Sequence, residues 1–375
     1  MKIVVTGAKG FIGKNLCVML REHGYEDLIE IDRDTTSEQT THALAKADFV
    51  YHLAGINRPK TEAEFQEGNA DFTDFVVEQL KVSGRKTPLV VSSSTQALQD
   101  NAYGQSKRSA EQSVELYGHE SGASFYIYRF PNVFGKWCRP NYNSFVATFC
   151  YNTLNDLDIT INDPKASVTL VYIDDVCRSL IALLDGTEPS GAKVVSPEYP
   201  TTVGEVADLL RAFKESRDNL VTEDVGTGLV RALYSTYLSY MSPEQFSYTI
   251  PSYGDERGVF SEMLKTKQAG QFSFFTAHPG ITRGGHYHHS KNEKFLVLKG
   301  KACFKFEHVG TGERYELETE GCAPQIVETV PGWSHDITNI GEEEMIVMLW
   351  ANEIFDREAP DTFAFPLVNL EEKQK

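Results

Sequence analysis

The sequence predicts an α/β doubly wound parallel sheet followed by an all-β barrel. Three observations predict it. Over residues 1–190, apolar strand-like segments alternate with segments of helical spacing, the pattern of βαβ units around a buried parallel sheet. From Gln271 to Asn352, short strand-like segments follow one another with no good helix between them, as in a barrel or sandwich. Between the two lies MSPEQFSYTIPSYGDERG (241–258), with Pro, Ser and Gly and little periodicity, which reads as a boundary. The expected domains are therefore 1–245 and 250–369.

The strands of the first part are expected at Ile3–Thr6, Leu28–Ile31, Phe49–Leu53, Leu89–Ser92 and Ser124–Tyr128. Phe11–Glu22, Glu64–Lys81 and Ser106–Tyr117 have the apolar spacing of helices. Thr202 precedes VGEVADLLRAFKESR, and Glu205 stands three residues after it, as in a capping box at the start of an amphipathic helix. The strands of the second part are expected in QFSFFTAH, KFLVLKG, KACFKFEH, RYELET, QIVETV and MIVMLWAN, with VGTGE (309–313) among the breaks. The closing EEKQK is expected to fray.

Bulk properties narrow the function. The net charge of −17 over 375 residues argues against nucleic acid as a partner. No apolar run approaches the ~18–20 residues of a membrane span, so membrane insertion is not expected. The apolar run in MKIVVTG is too short for a signal peptide. The six cysteines are scattered and form no CxxC pair, which fits reduced thiols and a cytoplasmic location.

KIVVTGAKGFIGKNL places GxxGxxG between a strand and a helix. Gly7 permits the tight turn, Gly10 lets backbone approach a pyrophosphate, and Gly13 lets the helix pack closely. The helix N-terminus, with Phe11 and Ile12 in its first turn, then offers unpaired N–H groups to phosphates. This is the Rossmann-type dinucleotide fingerprint. Asp32 follows the second strand, 19 residues after Gly13. An acidic residue there can bond the ribose hydroxyls of NAD, whereas Arg33 beside it can hold the 2′-phosphate of NADP. NADPH is the expected cofactor, with NADH left open.

Tyr103 and Lys107 form YxxxK, and one helical turn puts them on the same face. A lysine ammonium, together with a nicotinamide cation, favours the phenolate of the tyrosine. Ser94, at the end of a Ser-rich strand, can hold the substrate oxygen.

With these motifs, the first ~240 residues resemble an extended short-chain dehydrogenase/reductase. YHLAG (51–55) resembles that family's cofactor-lining segment, which implies cofactor contacts at Leu53, Ala54 and Gly55. YRFPNVFGKW (128–137) resembles its RxxNxxG segment, which implies substrate contacts at Arg129 and Asn132, and VYIDDV (171–176) resembles its late strand. The resemblance implies a UDP- or dTDP-linked hexose as substrate and Ser94, Tyr103 and Lys107 as catalytic residues, with Tyr103 and Lys107 contacting the cofactor as well. The Ser94–Tyr103 spacing is shorter than the family's, so the choice of serine stays open. Thr95-Gln96-Ala97 stands where the 4,6-dehydratases carry Thr-Asp-Glu, which leaves a ketone reductase or an epimerase.

Six of the ten histidines lie between His278 and His335. GGHYHHSKNEKFLVLKG supplies His286, His288 and Glu293, and PGWSHDITN supplies His335. HxH on a strand directs both imidazoles to one face, and His with carboxylate suits Zn, Mn, Fe or Ni. The spacings HxH–x4–E–x6–G and PGxxH–x3–N resemble the two cupin motifs of a jelly-roll barrel over about 250–365. The resemblance implies metal ligands at His286, His288, Glu293 and His335, with one HxH histidine open to face substrate instead. His278 and His308 are expected to be structural and Cys303 to be core.

DERGVFSE (255–262) resembles a segment of the dTDP-4-keto-hexose 3,5-epimerases. YNSFVATFCY, LYSTYLSY, HHSKNEKFLV and NEIFD extend the resemblance along the chain, to the CapF-like bifunctional enzymes of capsular polysaccharide and O-antigen synthesis. It implies a cupin that inverts C3 of a UDP-4-keto-6-deoxy-HexNAc and a Rossmann domain that reduces C4 with NADPH. The implied product is UDP-2-acetamido-2,6-dideoxy-β-L-talose, on the route to UDP-N-acetyl-L-fucosamine. Zinc or another divalent metal and a homodimer are implied as well. His289, Lys291 and Asp336 are candidates for the C3 base on proximity. The alternative is a single-activity UDP-sugar 4-reductase or 4-epimerase whose cupin serves assembly.

Overall fold

A computed structural model describes the chain except residues 251, 256–257, 262, 267–269, 354–355, 357 and 368–375. It forms two compact units, 1–145 with 167–201, and 146–166 with 202–375. The expected parallel α/β sheet and the expected antiparallel barrel are both present. Glu256, Arg257 and Glu262 of DERGVFSE, two residues of NEIFD and the closing EEKQK lie outside the described residues.

In the first unit the chain runs β1 (Ile3–Thr6), α1 (Phe11–Glu22), β2 (Leu28–Ile31), α2 (Ser37–Ala45) and β3 (Phe49–His52). A helical stretch follows, made of α3 (Ala63–Phe65), a π-turn at Gln66–Asp71 and α4 (Phe72–Ser83). Then come β4 (Leu89–Ser94), α5 (Ala102–Ser121), β5 (Phe125–Phe130) and β6 (Asn132–Phe134). The chain leaves through α6 (Phe145–Leu154) and returns at β7 (Ser167–Tyr172), α7 (Ile173–Ala182), β8 (Gly191–Lys193) and β9 (Tyr199–Thr202). The main sheet has the order β2-β1-β3-β4-β5-β8, all parallel.

Both faces of that sheet are covered, which is why its strands are apolar throughout. Val4, Val50, Leu89, Val91 and Ile127 point into one core with Leu44, Val76, Leu80 and Val114 of the helices. Their neighbours alternate to the other face, where Tyr51 donates from its hydroxyl to the Leu180 carbonyl of α7. The strand order reverses between β1 and β3. Ligands of open α/β sheets bind at the carboxyl ends of the strands beside such a reversal. Gly7 and Leu53–Gly55 follow those two strands.

In the second unit Thr202 caps α8 (Val203–Asn219) through the expected capping box with Glu205. Tyr234 and Tyr237 of α9 (Gly228–Leu238) pack on Phe213 of α8. Two five-stranded sheets follow. One has the order 247–249, 325–328, 293–299, 345–351, 271–277, and the other 314–320, 301–308, 333–339, 282–287, 363–364. Phe295 of the first sheet meets Phe304 of the second, with ring centroids 5.7 Å apart. Among the described residues no helix is long and apolar enough to cross a membrane.

One charged cluster is buried in this unit. Glu328 accepts from Lys294 and Arg217, and the Tyr234 hydroxyl lies 3.3 Å from it. Burial alone would raise the pKa of Glu328, but the two cations pull it down to about 2. A depressed carboxylate pKa adds stability above the unfolded value of about 4.5, and that stability drains as pH falls toward 2. Glu328→Gln leaves two buried cations without their counter-charge, a change that costs about 3–5 kcal/mol. Thermal unfolding at pH 7 should show that loss. The gap between variant and wild type should close as pH drops below 4.5.

Candidate functional site

The first site forms around the glycine turn. Gly7 has a left-handed φ of +68°. A Cβ there would lie 2.8 Å from the Ala54 backbone, and a Cβ on Gly13 only 2.2 Å from the Gly7 carbonyl oxygen. The turn therefore closes only with glycine at both places. No side chain caps α1 and its first turn carries no acid, so its N–H groups stay open to an anion. A cleft of about 460 Å³ opens here, lined among others by Gly7, Gly10, Asp32, Arg33, Ala54 and Gly55. A dinucleotide fits the donor set and the glycine cradle. The expected residues Leu53, Ala54 and Gly55 reach the cleft because β3 is the neighbour of β1. Phe11 and Ile12 occupy the first turn of α1.

Asp32 holds the turn itself. One oxygen accepts from the Lys9 amide at 2.8 Å and the other from the Arg33 amide at 2.7 Å. Arg33 is exposed at the rim, with Thr35 and Ser37 lining the same wall. His52 bridges Thr6 and Thr73 beneath the cleft, at 2.7 and 2.9 Å. Burial, with the Lys107 charge, pushes its pKa down to about 3, so it is a neutral strut.

Ser94, Tyr103 and Lys107 come together as expected. Ser94 stands near enough to Tyr103 to favour its ionisation, while the Ser94 hydroxyl accepts from the Gln96 amide at 3.2 Å. Lys107 lies 6.0 Å from the centroid of the Tyr103 ring and donates to the Ser92 carbonyl at 3.1 Å. β4 extends to Ser94, two residues beyond the expected end, so alternation separates the three serines. Ser93 turns away and donates to Glu111. Ser92 lies beside the His52 carbonyl. Of the three, Ser94 is the one that influences the tyrosine. A Cβ on Gly55 would lie 3.0 Å from Lys107 Nζ, which ties this group to the cleft.

Burial raises the Tyr103 pKa, and the neighbouring Ser94 offsets only part of the rise. Burial lowers Lys107 to about 8, against the pull of Glu111. A protonated tyrosine donates rather than accepts, which is the role needed for ketone reduction.

Arg129 is engaged within the protein. It forms a two-pronged pair with the buried Glu111, at 2.9 and 2.6 Å. Asn132 is exposed and donates to the Thr169 carbonyl at 3.2 Å. Two further residues belong to this site. Glu111 lies one turn beyond Lys107 on α5 and links β4 to β5 through Ser93 and Arg129. Asn69 sits in the π-turn, whose widened backbone is frequent at functional sites. Its amide bonds both backbone groups of Ile56, and Ser106 at 3.0 Å. The spacing Tyr103–Lys107–Glu111 could have found the first of these.

The second site lies in the barrel. The ligand atoms of His286, His288, Glu293 and His335 all fall within 4.8 Å of one another. His286 and His335 face each other across neighbouring strands. Glu293 Oε2 lies 3.2 Å from His288 Nε2 and 3.6 Å from His335 Nε2, while Oε1 meets Lys291 Nζ at 3.3 Å. Burial and the neighbouring imidazoles push His286 down to about 4. The buried Nδ1 of His335 has no hydrogen-bond partner among the described residues. Neutral imidazoles around a carboxylate fit a divalent metal.

The three proximity candidates separate here. Only Lys291 reaches the cluster. Asp336 follows His335 on its strand and so points to the opposite face, toward Lys305 and Glu316. His289 packs between Tyr287 and Phe363. His308 accepts from the Gly310 and Thr311 amides in a turn, and Cys303 is buried.

Comparison with known proteins fits both units. Residues 3–195 match the NAD dependent epimerase/dehydratase family. Residues 253–363 match the polysaccharide biosynthesis C-terminal domain. The chain is 53% identical, over 97% of its length and 98% of the relative's, to a UDP-2-acetamido-2,6-beta-L-arabino-hexul-4-ose reductase of Pseudomonas aeruginosa. It resembles the crystal structure of the capsular polysaccharide assembling protein CapF of Staphylococcus aureus at a TM-score of 0.67 and 42% identity, covering 98% of this chain and 100% of that one. A UDP-glucose 4-epimerase of Thermus thermophilus, solved with NAD, shares the fold at a TM-score of 0.51 and 21% identity over 57% of this chain and 83% of its own.

Proposed function

The chain belongs to the NAD dependent epimerase/dehydratase family, and from that premise we propose that it is a UDP-4-keto-sugar reductase with a second, C3-epimerising site. Its substrate is a UDP-linked 2-acetamido-2,6-dideoxy-4-keto hexose. Its product is UDP-2-acetamido-2,6-dideoxy-β-L-talose, on the route to UDP-N-acetyl-L-fucosamine. The enzyme works as a cytoplasmic homodimer. The observation that carries the reductase assignment is Lys107, set 6.0 Å from the centroid of the Tyr103 ring and against Gly55 of the glycine cleft.

The dinucleotide, cradled by Gly7, Gly10 and Gly13, supplies the hydride for C4. Ser94 and Tyr103 hold the C4 oxygen between their hydroxyls. Tyr103 gives up its proton to that oxygen, and the Lys107 cation stabilises the phenolate left behind. Ketone, hydride and proton balance to the alcohol. Asn132, exposed at the start of β6, is the substrate contact available in its segment, since Arg129 is paired with Glu111.

A divalent ion such as zinc, held by His286, His288, Glu293 and His335, supplies Lewis acidity toward the keto oxygen and so acidifies the C3 proton. Lys291 occupies the second oxygen of Glu293 and leaves the first for the ligand cluster. The test is to incubate the protein with the UDP-4-keto sugar, with and without NADPH, in deuterated water. C3 exchange without NADPH and C4 reduction with it are expected. C4 reduction alone would favour a reductase whose barrel serves assembly.

NADPH is the assigned reductant because both oxygens of Asp32 already serve the turn, and Arg33 stands exposed at the rim with Thr35 and Ser37. A charge-assisted hydrogen bond is worth about 1.5–3 kcal/mol. Arg33→Ala should therefore raise KM for NADPH about 10- to 100-fold and leave KM for NADH nearly unchanged. Equal effects on the two cofactors would assign Arg33 no part in the choice.

A further inference from the structure

The loop between His288 and Glu293 is held by a carboxylate far along the chain. Asp361 accepts from the backbone N–H of His289 at 2.9 Å, of Ser290 at 2.6 Å and of Lys291 at 2.7 Å. It also accepts from the Ser290 hydroxyl at 2.9 Å. Successive N–H groups that converge in this way form an anion-binding nest, and here the anion is a side chain of the same protein. The carbonyl of Asp361 receives His288 Nδ1 at 2.5 Å. That bond commits the Nδ1 proton and turns the Nε2 lone pair toward Glu293.

The residues after Asp361 continue the contact. Thr362 Oγ1 lies 3.5 Å from Lys291 Nζ. Phe363 and Ala364 pair with Tyr287 and His286 as a short strand. The Phe365 amide donates to Gly285. On the other side Arg231 of α9 donates to the Ser290 hydroxyl and lies 3.9 Å from Asp361. The segment 361–365 thus runs along HxH from end to end.

We propose that Asp361 is the positioning residue of the barrel's metal site, and that the segment 361–365 is a strap that sets how His286, His288 and Glu293 are presented. The proposal rests on the reading that these residues hold a metal. A ligand that is oriented by a second hydrogen bond binds metal more tightly, and loss of that partner typically weakens binding about 10- to 100-fold.

The test uses the full chain with zinc or cobalt ions alone. In Asp361→Asn one carboxylate oxygen becomes an amide donor, which opposes the N–H groups of the nest. The variant keeps the main-chain carbonyl that meets His288 and acts by loosening the loop that presents it, so competition against a chelator should show zinc binding weakened by about tenfold, the low end of the effect of losing that partner outright. The visible absorption of the cobalt-loaded variant should differ in shape from wild type, because the ligand geometry has changed. NADPH binding at the glycine cleft should be unaffected. Zinc affinity within twofold of wild type, with superimposable cobalt spectra, would overturn the proposal. Should the variant not fold, amide hydrogen exchange of the wild type decides. Zinc should slow exchange in 285–293 and 361–365 together, and slowing confined to 285–293 would overturn it. A wild type that takes up neither ion overturns the metal reading itself, and the strap with it.

Discussion

Tyr103→Phe should lower kcat for C4 reduction by about three orders of magnitude, within the usual range for a positioned acid. The ring is retained, so its packing against Phe65, at 5.3 Å between centroids, survives. What disappears is the proton donor for the C4 oxygen. The KM for NADPH should change little, because the glycine cleft lies on β1 and β3 and owes nothing to that hydroxyl. A variant that kept more than a tenth of wild-type kcat would contradict the acid role. The same arrangement sets a pH dependence. Burial brings Lys107 down to about 8. Below that value the cation stands beside Tyr103 and stabilises the phenolate formed as the proton leaves. Above it the charge is lost, and kcat should fall as pH rises through about 8.

Loss of the barrel's metal should separate the two activities. Chelation, or Glu293→Gln, should slow solvent exchange at C3 by about a thousandfold, the scale of several kcal/mol of charge stabilisation. Glu293 Oε2 lies within 3.6 Å of two imidazoles. Its amide replacement presents a weaker ligand at the centre of that group. Reduction of a ketone already inverted at C3 should continue within about twofold, since hydride and proton come from groups of the first unit. Unchanged exchange after complete metal removal would leave the barrel an assembly role and support the single-activity alternative.

Local features were legible in the sequence because local chemistry dictates them. Gly7 and Gly13 stand where a Cβ collides with backbone, so the turn is written in residue types. Period-two alternation put His286 and His288 on one face, and their pairing with His335 follows from the barrel they predict. The helix at Tyr103–Lys107 was legible too, although α5 begins and ends about four residues beyond its expected limits, at Asn101 and Gly122, its caps.

Features that depend on distant partners were not legible. The π-turn that carries Asn69 interrupts a stretch whose apolar spacing reads as one helix. Arg129 looks like a substrate contact in its motif, and only the fold brings Glu111 to it. Nothing near Asp361 in sequence announces a nest built by residues 289–291. The two extra residues of strand at Ser93 and Ser94, which turn the three serines to different faces, were not legible either. The burial of Tyr103, which raises its pKa, is likewise a property of the assembled site.

The most direct test of the account supplies NADPH deuterated at both nicotinamide C4 positions, together with the UDP-linked 2-acetamido-2,6-dideoxy-4-keto hexose, and follows the sugar by NMR. The account predicts a talo-configured product with one deuterium on C4, formed about a thousandfold more slowly by Tyr103→Phe. A reduced sugar with no deuterium at C4, or label on another carbon, would contradict it.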